Sequence, residues 1–258
     1  MLPDYESMFG RQLAPGAHQI GPTRRAIFQG GYSRSYLFEG SNGRLTLVDT
    51  GWDTKARTIL RYLDDIGRSP AQIEYIVLTH SHRSHLGGLA TLAQLSGAKV
   101  LCHPKEIAVI EGRTRAHPIR LWPPFPVRLY LFRIISHLPI LAHVPWQVDK
   151  LNPLLDGTRV GPLTVLHTPG HTPGHLAFRY GNTLLAVGDA VATWPWFSAG
   201  WPGFNRDEWQ YRRSLLDLVD LSPDIVCPGH GDAIVENTAE RVRRLVRGRK
   251  FSKLRAKA

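Results

Sequence analysis

Sulfur is scarce in this sequence: 258 residues contain two methionines and two cysteines, Cys102 and Cys227. Each cysteine lies in a short apolar run of strand character, the setting of a buried reduced thiol, which argues against a disulfide framework. Long apolar runs are missing too. The longest uncharged stretch of the region 113–148 is 134–148, about 15 residues broken by Pro139 and Pro145. A membrane-spanning helix needs roughly 20. The opening residues, Met1-Leu2-Pro3-Asp4-Tyr5, lack the basic-then-apolar pattern of an export signal, so a cytoplasmic protein is expected.

Acid is absent from two places. The last 18 residues, 241–258, hold nine Lys/Arg and no Asp or Glu, so of the net charge of +11 only +2 belongs to the rest of the chain. A nearly neutral body argues against nucleic acid as a partner, because binding a polyanion takes basic residues spread over a surface. The tail reads as a solvated helix end and free terminus. Its sharper reading is contact with an anionic membrane surface or other polyanion, since each basic residue near such a surface contributes about 1 kcal/mol. The second place is 113–148, which carries five arginines and no acid. It reads as an amphipathic insertion that packs over the core, forms an apolar lid with Trp122 and Phe125, or lies on a membrane. The whole chain, 1–258, is expected to form one domain carrying this insertion and the tail.

Histidine is what the sequence has. Thr79-His80-Ser81-His82-Arg83-Ser84-His85-Leu86-Gly87-Gly88 follows the apolar run Ile73 to Leu78, which reads as a buried strand. Neutral imidazole is the commonest protein ligand for zinc and related metals. On an extended segment His80 and His82 point the same way and can share one ion, while His85 can face a neighbouring one. Downstream come His167-Thr168-Pro169-Gly170-His171-Thr172-Pro173-Gly174-His175, Val187-Gly188-Asp189-Ala190 and Cys227-Pro228-Gly229-His230-Gly231. Each sets a candidate ligand at a turn that follows or ends an apolar run. His18, His103, His117, His137 and His143 lack such spacing.

The alternation of apolar runs and helical periods supports a mixed α and β class. Helices are expected from Asp53-Thr54 to Ile66, from Ser84 to Leu95, from an Asn205 cap to Leu221 with Trp209, Leu215, Leu216 and Val219 inward, and from Glu236 to Val246. Strands are expected at Tyr36–Phe38, Leu45–Val48, Lys99–Cys102, Leu163–Leu166, Leu176–Tyr180, Thr183–Val187 and Asp224–Cys227.

With Leu47-Val48-Asp49-Thr50-Gly51 upstream, the ordered histidine and aspartate motifs resemble the metallo-β-lactamase-fold hydrolase superfamily from roughly residue 17 to residue 246. The resemblance implies an α+β fold, an αββα sandwich of two mixed β-sheets flanked by helices. It implies that His80, His82 and His171 hold a first metal. Asp189 bridges to a second, and His85 and His230 complete that second site. Asp49 orients the metal loop from behind, and His175 is a supporting residue. The catalytic positions are Asp189, Ser84 and His230. At Ser84 the chain departs from the family pattern, which has an aspartate that ligates the second metal and positions the nucleophilic water. A neutral serine there implies a weakened second site. Trp194 and Trp196, close after Asp189, join Trp122 and Phe125 as candidate pocket residues.

These residues lead to an expectation of one or two zinc ions per chain, with iron or manganese as the other metals such donors accept. Zinc lowers the pKa of a bound water from about 15.7 to about 7, and the hydroxide attacks a carbonyl carbon. The expected function is therefore metal-dependent cleavage of a lactone, β-lactam, ester or thioester in a small, partly lipophilic substrate, with the lactonase or β-lactamase type favoured by the apolar insertion. The alternatives are a mononuclear iron oxidoreductase on His80, His82, His171 and Asp189, a nuclease, and a non-catalytic binding protein with a degenerate site.

Overall fold

The chain opens as an antiparallel meander of β1 (Glu6–Ser7), β2 (Gly10–Ala14), β3 (Ala17–Ile20), β4 (Ser35–Glu39) and β5 (Leu45–Val48). Helix α1 (Arg57–Asp65) crosses to β6 (Ile73–Val77), which lies parallel to β5. Helices α2 (Arg83–Leu86) and α3 (Leu89–Ser96) lead to β7 (Lys99–Cys102), parallel to β6. Helix α4 (Pro104–Ile110) precedes β8 (Leu151–Pro153), parallel to β7. These eight strands form one sheet in chain order. The second sheet runs β13-β12-β11-β10-β9, from β9 (Arg159–Val160), β10 (Leu163–His167), β11 (Leu176–Tyr180), β12 (Leu184–Ala192) and β13 (Ile225–His230). Helix α5 (Glu208–Asp220) joins the parallel pair β12 and β13, and α6 (Thr238–Val246) follows. The computed structural model describes residues 6–21, 33–114, 148, 150–194, 197–200 and 204–247. Nearly all of the 113–148 insertion, the tail beyond Arg247, and Trp122, Phe125 and Trp196 lie outside them.

The two-residue period of the strands builds the layers. Phe38 and Val48 face inward and meet Val165, Leu176 and Phe178 of the second sheet. Their neighbours Leu37 and Leu47 face outward and pack with Ile76 against Ile59, Leu63 and Leu89 of the helices. On the far side, Leu185 and Val187 pack against Leu215, Leu218 and Val242. The result is a helix–sheet–sheet–helix sandwich. Among the described residues no helix is long and apolar enough to cross a membrane. Cys102 and Cys227 are both free and buried.

Several elements differ from the sequence reading, each for a physical reason. Helix α1 begins at Arg57, because Ala56 takes a left-handed φ of 50°. The Asp53 side chain then accepts the Arg57 N–H at 3.0 Å from outside the helix. The helix expected over 84–95 breaks into α2 and α3 at Gly87-Gly88. Gly87 lies so close to the Trp52 backbone that any side chain there would collide with it. Asp207, not Asn205, caps α5, accepting the N–H groups of Trp209 and Gln210 at 3.0 Å each. Trp209 is 55% exposed; Tyr211, Leu215, Leu218 and Val219 form the buried face. Helix α6 starts at Thr238, two residues later than expected, after Asn237 at a left-handed φ of 51°.

Strand β12 also runs past Val187 to Ala192, buried at all nine positions. Continuous burial of this kind is typical of a strand covered on both faces. Phe178 fills the space between the sheets. Phe178→Ala should therefore lower unfolding free energy by about 3–5 kcal/mol, read as a lowered urea midpoint with an unchanged slope.

Candidate metal centre

Loops and strands at one rim of the sandwich supply the titratable residues. Asp49 follows β5, the histidine loop follows β6, His171 lies between β10 and β11, Asp189 is within β12, and His230 ends β13. Two groups of donor atoms result, one of His80, His82, His171 and Asp189, the other of His85, Asp189 and His230. Within each group the atoms lie within 4.8 Å of one another. Asp189 belongs to both. Its Oδ2 is 3.4 Å from His171 Nε2 and 3.8 Å from His80 Nε2; its Oδ1 is 3.3 Å from His85 Nε2 and 3.6 Å from His230 Nε2.

The hydrogen bonds behind the rings decide which nitrogen each presents. Asp49 accepts the Thr79 N–H at 2.8 Å and the Thr79 hydroxyl at 2.7 Å. With its proton committed to Asp49, the Thr79 hydroxyl oxygen accepts His80 Nδ1–H at 2.9 Å, which leaves His80 Nε2 for the site. Asp49 also accepts His85 Nδ1–H at 2.7 Å, leaving His85 Nε2. Asn205 Oδ1 accepts His171 Nδ1–H at 3.3 Å, leaving His171 Nε2, which stands 3.0 Å from His82 Nδ1. His175 has no nitrogen to spare. Its Nε2 accepts the Asp189 N–H at 3.2 Å, and its Nδ1 donates to Thr168 Oγ1 at 2.8 Å. It fixes the backbone under Asp189.

Asp49 holds this position with a left-handed φ of 58°. Such a conformation in a non-glycine residue costs about 1–3 kcal/mol and persists only where its surroundings enforce it. His230 is secured from the opposite sheet. Arg34 N–H donates to the Gly229 carbonyl at 2.8 Å and Tyr36 Oη to that of Pro228 at 2.7 Å. Gln19 accepts the Ala233 N–H at 2.7 Å, and the buried Arg34 pairs with Asp232 at 3.0 Å. Gly229 faces Asp189 Oδ1 and His85 Cε1 so closely that a β-carbon would displace them.

Fit to a metal can be judged from this geometry. His80 Nε2, His85 Nε2 and Asp189 Oδ1 are buried and make no hydrogen bond. An orphaned buried polar atom costs about 1–3 kcal/mol, and three converging on one space suit a cation. Burial holds His80 and His171 well below the usual histidine range, so both rings are neutral, as ligation requires. Burial also lowers His230, to about 4. Asp189 stays ionised: burial opposes its charge, but His230 and His85 hold it well below the usual carboxylate range. His85 differs. Burial lowers it, yet Asp49 and Asp189 on either side outweigh burial and push it up to about 10.

Of the other residues singled out in the sequence, Ser84 is half-buried in α2 and contributes no carboxylate, so the second group has three donors. Trp194 is half-buried and follows Thr193, whose N–H donates to the His230 carbonyl at 3.0 Å. Asn205 is the residue the sequence reading gave a different task. Its side chain bridges His171 to Glu208 Oε2, the latter at 3.0 Å. Only the approach of residues 34 positions apart reveals that role.

The model of the metallo-beta-lactamase superfamily matches residues 29–230. The chain belongs to this superfamily. A beta-lactamase-like protein 2 homolog of Drosophila melanogaster is 28% identical over 79% of the chain and 60% of its own length. A hydroxyacylglutathione hydrolase of Methylobacillus flagellatus is 31% identical over 70% of the chain and 54% of its own length. The chain thus spans little more than half the length of these two superfamily relatives. A crystal structure of a metallo-beta-lactamase family protein from Thermus thermophilus superposes with a TM-score of 0.67 at 26% identity, covering 95% of this chain and 81% of the other.

The two groups should answer pH differently, because a metal displaces the proton from His85 but finds His80 and His171 already neutral. Across pH 6–9 affinity at the His80/His82/His171 group should vary less with pH, since His80 and His171 have no proton to give up. At the His85/Asp189/His230 group it should rise about tenfold per pH unit, levelling near pH 10. Zinc titration by calorimetry at several pH values, with the protons released measured, checks both slopes.

Proposed function

We propose that this member of the superfamily is a zinc-dependent hydrolase of a small carbonyl substrate, a lactone, β-lactam, ester or thioester. The observation that carries this reading is the buried convergence of unsatisfied ring nitrogens on the one carboxylate of Asp189. The hydrolase among the relatives supports it. In this proposal His80, His82 and His171 hold the first ion, and His85, Asp189 and His230 the second. When bound, zinc supplies a water acidified to a pKa of about 7 and a Lewis acid for the carbonyl oxygen.

The chain's own residues do the rest. Asp49 keeps the Nδ1 proton on His85, and Thr79 keeps it on His80, so neither ring can turn its lone pair away. Asn205 does the same for His171. His175 holds the Asp189 backbone so that both carboxylate oxygens face the histidines. Trp194, which follows the Thr193 bonded to the His230 carbonyl, is in this proposal the residue that meets the acyl part of a partly lipophilic substrate. Ser84 leaves the second group one anionic ligand short, so in this reading the first group is the tighter one.

Elemental analysis of protein prepared without chelators is expected to give near one zinc per chain, and chelation should abolish hydrolysis in a panel of lactone, thioester and β-lactam substrates. Iron in place of zinc, with oxygen uptake, would favour an oxidoreductase instead. Ser84→Asp should tighten the second group at least about 10-fold, raising occupancy toward two ions and increasing kcat. A variant that binds no more metal and turns over no faster would remove Ser84 from the account.

A further inference from the structure

Glu106 belongs to neither ligand loop, yet it touches both. It is the third residue of α4, which His103 caps by accepting the Lys105 N–H at 3.2 Å. A glutamate at this position commonly turns back to the backbone N–H of the cap. Glu106 points the other way and is fully buried. Its Oε2 accepts the Ser81 N–H at 3.1 Å and the Ser81 hydroxyl as well. Its Oε1 accepts the Gly174 N–H at 2.8 Å.

Ser81 stands between His80 and His82, and Gly174 lies three residues after His171. A strand-like bond from Leu176 N–H to the Thr79 carbonyl, 2.8 Å, joins the bases of these two loops. The carboxylate of Glu106 joins them further out, beside the ligands themselves. His82 Nδ1 and His171 Nε2 come from the two loops and stand 3.0 Å apart. A buried carboxylate with three donors resists displacement, because leaving any of them unpaired is costly.

We propose that Glu106 is a positioning residue for the first metal group, a strut that fixes the separation of His82 and His171. The inference rests on the metal-dependent reading above. Glu106→Gln keeps the shape of the side chain but replaces one acceptor oxygen with an NH2 group, which must then face an N–H of Ser81 or Gly174. Zinc affinity is measured by competition with a chromophoric chelator, together with the thermal midpoints of zinc-free and zinc-loaded protein. E106Q should bind zinc about 10–100-fold more weakly, as changes behind a metal ligand do, and the gain in Tm on zinc binding should shrink. Ser81→Ala, which removes one of the three donors, should show a smaller loss, and the S81A/E106Q double variant should be no weaker than E106Q alone.

A residue that only stabilises the fold would lower both midpoints equally and leave the zinc Kd unchanged; that result for E106Q overturns the proposal. If E106Q does not fold, an unchanged Kd in S81A overturns it. Wild-type protein that binds no zinc, iron or manganese would defeat the metal-dependent reading itself, a result distinct from wild type and E106Q binding alike.

Discussion

A single buried carboxylate governs this rim of the sandwich. Asp189 is the only acid in either donor group, and four imidazoles, His80, His85, His171 and His230, stand within 4 Å of its oxygens. An isolated buried charge would be prohibitive, so everything around Asp189 serves to keep it where it is. Its backbone N–H is tied to His175, the glycine at 229 makes room for its oxygen, and the protonated His85 ring supplies a compensating positive charge. Removing the carboxylate would leave two donor groups with nothing in common.

The scaffold delivers these residues by a simple device. Parallel strands β5 and β6 end at one rim, so Asp49 and the histidine loop emerge side by side. The parallel pair β12 and β13 does the same for Asp189 and His230, with register shifts near Gly188 where the backbone kinks to present the carboxylate. Crevices at the carboxyl ends of parallel strands are where sheets of this kind place ligands. Asp49 then joins the two strands of the first pair, reaching from the end of β5 to Thr79 and His85. Its left-handed backbone is enforced by these three bonds.

Much of this was legible from residue order. Histidines at turns bounded by glycine and proline, each beside an apolar run, mark loops at strand ends, and the family resemblance put them in one place. The strand cores at Tyr36–Phe38 and Leu45–Val48 stand inside β4 and β5, because fully buried short runs admit few other readings. What the order of residues hid depends on distant contacts. The break at Gly87-Gly88 follows from the approach of Trp52. Two cap-forming residues, Asn205 and Asp207, lie two apart, and only contact with His171 shows that one is diverted from the helix. Trp209 fits a helical face by period but falls on the solvent side, since Tyr211 fixes the rotation of α5 by bonding its hydroxyl to the Ala190 carbonyl at 2.8 Å.

The pinning of β13 by the first sheet has a consequence for how the protein comes into being. Gln19, Arg34 and Tyr36, all near the start, grip the chain around His230, near its end. During synthesis the first sheet can form long before that last strand leaves the ribosome, but until then the centre lacks a wall and a ligand. The second donor group is therefore completed only when two segments about 200 residues apart are joined, the bond from Tyr36 to the Pro228 carbonyl being one such link.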